Sequence, residues 1–130
     1  MPQLRFRPLE LSFAICRFAP TFNVPTWASE SEFFSITRTL EELSIVCPEA
    51  RVPPDVKAEF GWKGFMLEGP FDFGLTGILS SILTPLAEAQ IGIFAFSTFD
   101  TDYVLVKEES FERALEVLTE AGHVRATAAD

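Results

Sequence analysis

The chain has 130 residues, 48% of them hydrophobic and 14 of them phenylalanine, which suits one compact domain or two very small ones sharing a core. Nineteen acidic against 10 basic residues give a formal charge of −9. With no basic cluster, that is the wrong electrostatic footprint for nucleic acid or an anionic membrane surface.

In chain order, Leu9 to Phe18 places Leu9, Leu11, Phe13 and Ile15 on one face, the period of a strand. The run is too short for a membrane span, and Cys16 and Cys47 lack CxxC spacing. They read as two reduced core thiols of a cytoplasmic protein. Ala19 to Ser31 contains Pro20, Asn23 and Pro25 and reads as a loop, with one helical turn at Pro25 to Ala28. Phe33 to Thr37 and Leu43 to Cys47 are short apolar segments joined by Arg38 to Glu42, the pattern of a hairpin. Pro48 to Gly61, with Pro53-Pro54 and a charged run, reads as an extended linker.

Beyond the linker the elements sharpen. Lys63 to Glu68 alternates as a strand and stops at Gly69-Pro70. Leu75, Ile78, Leu79, Ile82, Leu83 and Leu86 form one helical stripe, with Pro85 expected to kink or end it at a cost of about 3 kcal/mol. Ile91 to Phe96 and Asp102 to Val106 form a second hairpin around Ser97 to Thr101. Phe111, Ala114, Leu115 and Leu118 give a second helix closed by Gly122, followed by a solvated His123 and a frayed tail from Arg125 to Asp130.

The first hairpin lies on the second at a constant offset of 60, so that Glu42 falls on Asp102. Residues 1–61 therefore read as a degenerate copy of a unit at 62–130, and that unit runs βαββα with only His123 to Arg125 left for a last strand. Ile91 and Ile93 oppose Phe94 and Phe96, and Tyr103 and Leu105 oppose Val104 and Val106, so both sheet faces are apolar. The face without helices must meet the first half or another chain, which predicts an extended sheet or a homo-oligomer.

Catalysis has little to draw on: a single histidine, no nucleophile beside a base, no metal cluster and no phosphate loop. No cofactor and no metal are expected. An amino-acid ligand fits better. Free N–H groups at the helix start from Leu75 to Gly77 suit its carboxylate, Asp102 or Asp100 suits its ammonium, and Gly74 and Gly77 admit a close backbone approach. The purely structural reading stands beside it: Gly74 makes the turn, Asp72 caps the helix, and Thr98 and Phe99 join two strands.

The segment from LEGPFDFGLTGILSS through STFDTDYVLV to ERALEVL, with EELSIVCPEA upstream, resembles an ACT domain. It is similar to small two-unit ACT proteins of the CASTOR-type arginine-sensor and aspartokinase regulatory kind. The resemblance spans about residues 9 to 121 and implies an α+β, ferredoxin-like βαββαβ ACT fold with two tandem units, the first degenerate. It also implies a non-enzymatic module that holds a small molecule, commonly an amino acid, at the interface between ACT units, with a homodimer as the expected assembly. Matched motif by motif, ligand contacts fall on Gly74 and Gly77, on Thr98, Phe99 and Asp102, and on Ser44 and Ile45. Gly77 stands where the arginine sensors carry an acidic residue for the guanidinium, which argues against arginine. The alternative is a structural or interaction module with a vestigial pocket.

Overall fold

The computed structural model describes residues 3–69 and 76–126. These form two compact units, a larger one made of the chain up to Glu10 and from Lys63 onward, and a smaller one from Leu11 to Trp62. Two long strands contribute to both, β1 (Arg5–Phe18) and β4 (Ala58–Leu67). The linker expected at Pro48 to Gly61 is thus shorter than its prolines suggest. A 3-10 turn at Glu49–Arg51 follows Pro48, and β4 begins at Ala58.

In the smaller unit the strand order is β2-β3-β1-β4, with β2 at Ser35–Arg38 and β3 at Leu43–Pro48. A 3-10 turn at Thr26–Ser29 follows Pro25, and its Ala28 is buried. Ala14, Cys16, Ala28, Leu43, Ile45 and Cys47 make the core, with Phe18, Trp27 and Ile36 packed against it. The alternation of β1 and β3 puts Ala14, Cys16, Leu43, Ile45 and Cys47 on one face, and each large side chain fully buried there contributes about 1.5–3 kcal/mol.

In the larger unit the elements after β4 are α1 (Ile78–Glu88), β5 (Ile93–Ser97), β6 (Asp102–Lys107), α2 (Phe111–Glu120) and β7 (Val124–Arg125). With β4 they run β-α-β-β-α-β, so the last strand exists, two residues long. Instead of lying beside β4, β7 pairs in parallel with β1, Arg5 opposite Val124 and Phe6 opposite Arg125. The order here is β7-β1-β4-β6-β5. The tail expected from Arg125 is held further than anticipated: Ala126 donates its N–H to the Phe6 carbonyl at 2.8 Å and is fully buried.

One core joins Phe6, Phe65, Leu67, Val104 and Val106 to Ile82 and Leu86 of α1 and Phe111, Ala114, Leu115 and Leu118 of α2. The Phe6 and Phe65 rings meet edge to face at 5.7 Å. On the opposite strand face Phe94 stands across from Leu105 and Phe96 across from Tyr103, the latter pair stacked at 5.3 Å.

Both helices end in the same hydrogen-bond pattern. At α2, Gly122 sits at φ 98 and donates to Thr119 O at 3.0 Å, while His123 donates its N–H to Leu118 O at 3.1 Å. At α1, Gln90 takes the left-handed position, φ 61, with Gln90 N–H on Ala87 O and Ile91 N–H on Leu86 O. These are Schellman closures; Gly122 adopts the left-handed conformation without strain, whereas Gln90 carries a Cβ there at a cost of about 1–2 kcal/mol.

The closure after α2 delivers His123 into the core, which corrects the expectation that it is solvated. It is 5% exposed. Leu4 donates its amide to His123 Nδ1 at 3.1 Å, and Nε2 lies 2.9 Å from the Ser81 carbonyl, to which it donates. That carbonyl is the one Pro85 leaves orphaned, because residue 85 would otherwise supply the amide four positions on. The helix therefore runs through Pro85 to Glu88 without ending early. The single histidine compensates for the proline.

The two hairpins prove to be built alike, one residue away from the expected register. Arg38 pairs with Leu43 across the first turn and Ser97 with Asp102 across the second, so the matching offset is 59. Thr39 donates its N–H to Glu42 O at 2.9 Å, and Thr98 to Thr101 O at 2.8 Å. At this offset Ile45 matches Val104 and Cys47 matches Val106, core on core. An offset of 60 would set core against the opposite face, since the side-chain period of a strand is two.

Candidate functional site

The turn between β5 and β6 gathers three of the residues expected to bind a ligand, Thr98, Phe99 and Asp102. Its geometry is set by side chains as much as by backbone. Ser97 donates its hydroxyl to Asp102 Oδ1. Thr98 Oγ1 accepts the Thr101 amide at 3.3 Å. Thr101, 7% exposed, donates its own hydroxyl to the carbonyl of Leu67 at the end of β4. The turn is thus fastened to the neighbouring strand; Phe99, 80% exposed, stands at its tip, followed by the exposed Asp100 and the half-buried Asp102.

Next to Leu67, Glu68 anchors a small ion-pair group. Arg5 Nε lies 2.9 Å from Glu68 Oε1 and Arg7 Nη1 3.2 Å from Oε2, while Arg7 Nη2 reaches Met66 Sδ at 2.7 Å. Both guanidiniums meet the Glu68 carboxylate just past the end of β4, the strand to which the turn is tied.

Gly77, also expected in the site, precedes α1 at φ 78, and Ser81 donates its amide to its carbonyl at 3.0 Å. A Cβ there would meet nothing within 4 Å. Glycine is needed for the left-handed backbone rather than for a close approach. Among the described residues no side chain caps the start of α1, and the amides of a helix's first turn have no intrahelical partners. Gly74 and Asp72 lie outside the described residues.

Ser44 and Ile45 are on β3 in the smaller unit. Ser44 is half-buried opposite Arg17 and Thr37, whereas Ile45 is fully buried in that unit's core. The structure thus brings Thr98, Phe99 and Asp102 together, puts Gly77 in the same unit, and gives Ile45 a packing role.

Sequence reasoning missed Ser97, Thr101 and the Arg5–Glu68–Arg7 group. The polar residues flanking STFDTD were a signal for the first two, since Ser and Thr hydroxyls close turns on nearby backbone. The alternation of Arg5 and Arg7 on one strand face was a signal for the third. A groove of about 290 Å³ along α2, lined by Glu112, Leu115, Glu116, Thr119, Glu120 and Arg125, shares no residue with the turn. Among the described residues no group of three or more His, Cys, Asp or Glu is arranged to hold a metal, and no helix is long and apolar enough to cross a membrane.

Comparison with known proteins gives this geometry its context. A family model described as ACT domain matches residues 57–120, and a second, describing an N-terminal domain, matches residues 11–55. The cytosolic arginine sensor for mTORC1 subunit 1 of Bos taurus is 30% identical over 101 residues, covering 69% of this chain and 31% of that protein. The chain spans about a third of the length of the cytosolic arginine sensors it matches. Protein Atu0741 from Agrobacterium tumefaciens superposes with a TM-score of 0.92 at 42% identity, over 98% of this chain and 95% of that one. The regulatory subunit of aspartate kinase from Thermus thermophilus, in its ligand-free form, shares the fold, with a TM-score of 0.57 at 11% identity over 87% and 95% of the two chains.

Proposed function

The chain belongs to the ACT domain family, and from that premise we propose that it is a non-enzymatic regulatory module that binds a small molecule, an amino acid or a close relative. The observation that carries this reading is the Thr98 to Asp102 turn. Its hydroxyls tie it to itself and to Leu67, and it carries the half-buried Asp102 carboxylate and an exposed aromatic ring, Phe99. Asp102 offers an ammonium group a charge-assisted hydrogen bond, with Ser97 holding the carboxylate in place. The first-turn amides of α1, after Gly77, suit a carboxylate. Phe99 would close over the aliphatic part. Gly74, Ser44 and Ile45 complete the set that the family resemblance assigns.

In this reading the ligand sits where ACT units pair, and the paired state is a homodimer. The ligand acts as a switch by binding one arrangement better than another. Two buried free cysteines and relatives named as cytosolic support a cytoplasmic setting. The register match of the two hairpins supports reading residues 1–61 as a degenerate copy of the unit at 62–130.

A thermal-shift screen against the twenty amino acids tests the proposal. A ligand at about 100 times its Kd stabilises the native state by about 2.7 kcal/mol, a shift of several degrees for a chain of this size. A selective shift supports sensing. No shift in a folded protein favours the second reading, an interaction module with a vestigial pocket. Phe99 and its counterpart Leu40, 94% exposed at the tip of the other turn, are the observation behind that alternative.

A further inference from the structure

We propose that two copies of the chain join edge to edge along β5, antiparallel across a twofold axis, so that one sheet runs through both. This names the surface of the homodimer proposed above and rests on that reading. β5 ends the strand order, with β6 on its inner side and, among the described residues, no strand on its outer side. Thr98 donates its N–H to Thr101 O at 2.8 Å just beyond the closing pair Ser97 and Asp102. Hydrogen-bonded and non-hydrogen-bonded pairs alternate along an antiparallel ladder. Phe94 and Phe96 therefore commit their backbone groups to Leu105 and Tyr103, whereas Ile93, Ala95 and Ser97 direct N–H and C=O away from β6.

An outward row of donors and acceptors is a template for another strand, and proteins that stay apart blunt it with charge. The other outer strands carry such charge, Arg38 in β2 and Arg125 in β7. β5 carries none, and from Ala89 to Phe99 no residue is charged.

Charge also selects the occupant. At a formal −9, two copies repel over most approaches, and β5 is an edge on which they meet without like charges opposed. A strand laid antiparallel on itself is self-complementary, as a twofold interface requires. With Ala95 opposite the partner's Ala95, Ile93 falls opposite the partner's Ser97, and each outward backbone group finds its counterpart. The side chains agree. Ile93, 37% exposed, shares a face with Ala95, which packs on the helix-covered core, and half-buried Phe94 and Phe96 lie on the other face. Pairing covers apolar surface on both sides of the seam.

The test measures mass by size-exclusion chromatography with light scattering over a dilution series. The proteins are the wild type, Ile93→Lys, Ala95→Pro and, as a control on the β2 edge, Thr37→Lys. The wild type and Thr37→Lys should run at twice the 14.5 kDa of one chain. Ile93→Lys and Ala95→Pro should run as monomers with wild-type circular dichroism, since lysine blocks edge pairing and proline is tolerated where an edge N–H faces solvent. Hydrogen exchange on the wild type gives a readout independent of any variant's folding. The amides of Ile93, Ala95 and Ser97 should exchange about tenfold slower in the dimer than in the diluted monomer. A dimer that survives both β5 variants, or in which those amides gain no protection, would overturn the β5 interface and leave the homodimer standing. A wild type that is monomeric throughout the series would overturn both.

Discussion

The two hairpins of this protein share a turn and differ in what flanks it. At the closing pair of the first, Arg38 donates to the carbonyls of Pro20 and Phe22, the latter at 2.7 Å, and Leu43 is fully buried. At the closing pair of the second, Ser97 and Asp102 hold one another at the surface. The same backbone thus anchors a loop and a core in one unit and presents a carboxylate in the other. What separates a structural turn from a candidate binding turn is the pair of side chains at its base.

This contrast can be broken by substitution, and the largest effect should come where the turn serves the core. Leu43→Ala is expected to cost about 3 kcal/mol through lost burial and a residual cavity, read by urea unfolding. The matching Asp102→Ala should cost less than about 0.5 kcal/mol, as surface changes do. Equal costs would mean that the two turns are not differently employed.

Next comes the device that keeps α1 intact in the larger unit. His123→Ala leaves the Ser81 carbonyl and the Leu4 amide without their present partner, for about 2 kcal/mol. Adding Pro85→Ala restores an amide to Ser81 and should recover part of that loss, whereas simple additivity in the double-mutant cycle would refute the pairing of histidine with proline.

A smaller loss, about 1 kcal/mol, is expected for Thr101→Val, which removes the hydroxyl from the Leu67 carbonyl while keeping the shape. Its counterpart Glu42 is half-buried on its own turn, and Glu42→Gln should be close to neutral. Smallest of all are Phe99→Ser and Leu40→Ser, within about 0.5 kcal/mol in stability because both tips are exposed. Only Phe99→Ser should weaken a ligand. If Leu40→Ser weakens it equally, the distinction between the turns fails.

Much of the fold was legible because its periods are strong. The stripe Ile78, Leu79, Ile82, Leu83, Leu86 located α1, Phe111, Ala114, Leu115, Leu118 located α2, and the alternating runs located β5 and β6. What failed to show was whatever depends on a distant partner. Pro85 looks like a helix breaker until His123, far along the chain, takes the freed carbonyl. The hairpin offset was misread by one because alternating apolar residues match almost as well one place out of step. Only the threonine at each turn's corner, Thr39 and Thr98, fixes it.

The site was legible to a similar depth. Thr98, Phe99 and Asp102 stand out as an acidic, aromatic turn between strands, but the Thr101 tether and the Arg5–Glu68–Arg7 group need the sheet order to become neighbours.

The central claim is that Asp102 on this turn recognises an amino acid, and isothermal titration calorimetry of the wild type and Asp102→Asn tests it most directly. The substitution keeps the shape and an acceptor for Ser97 while removing the charge, which should cost about 1.5–3 kcal/mol, roughly a 10- to 100-fold rise in Kd, with the unfolding midpoint unchanged. Equal affinity in the two proteins would contradict the account.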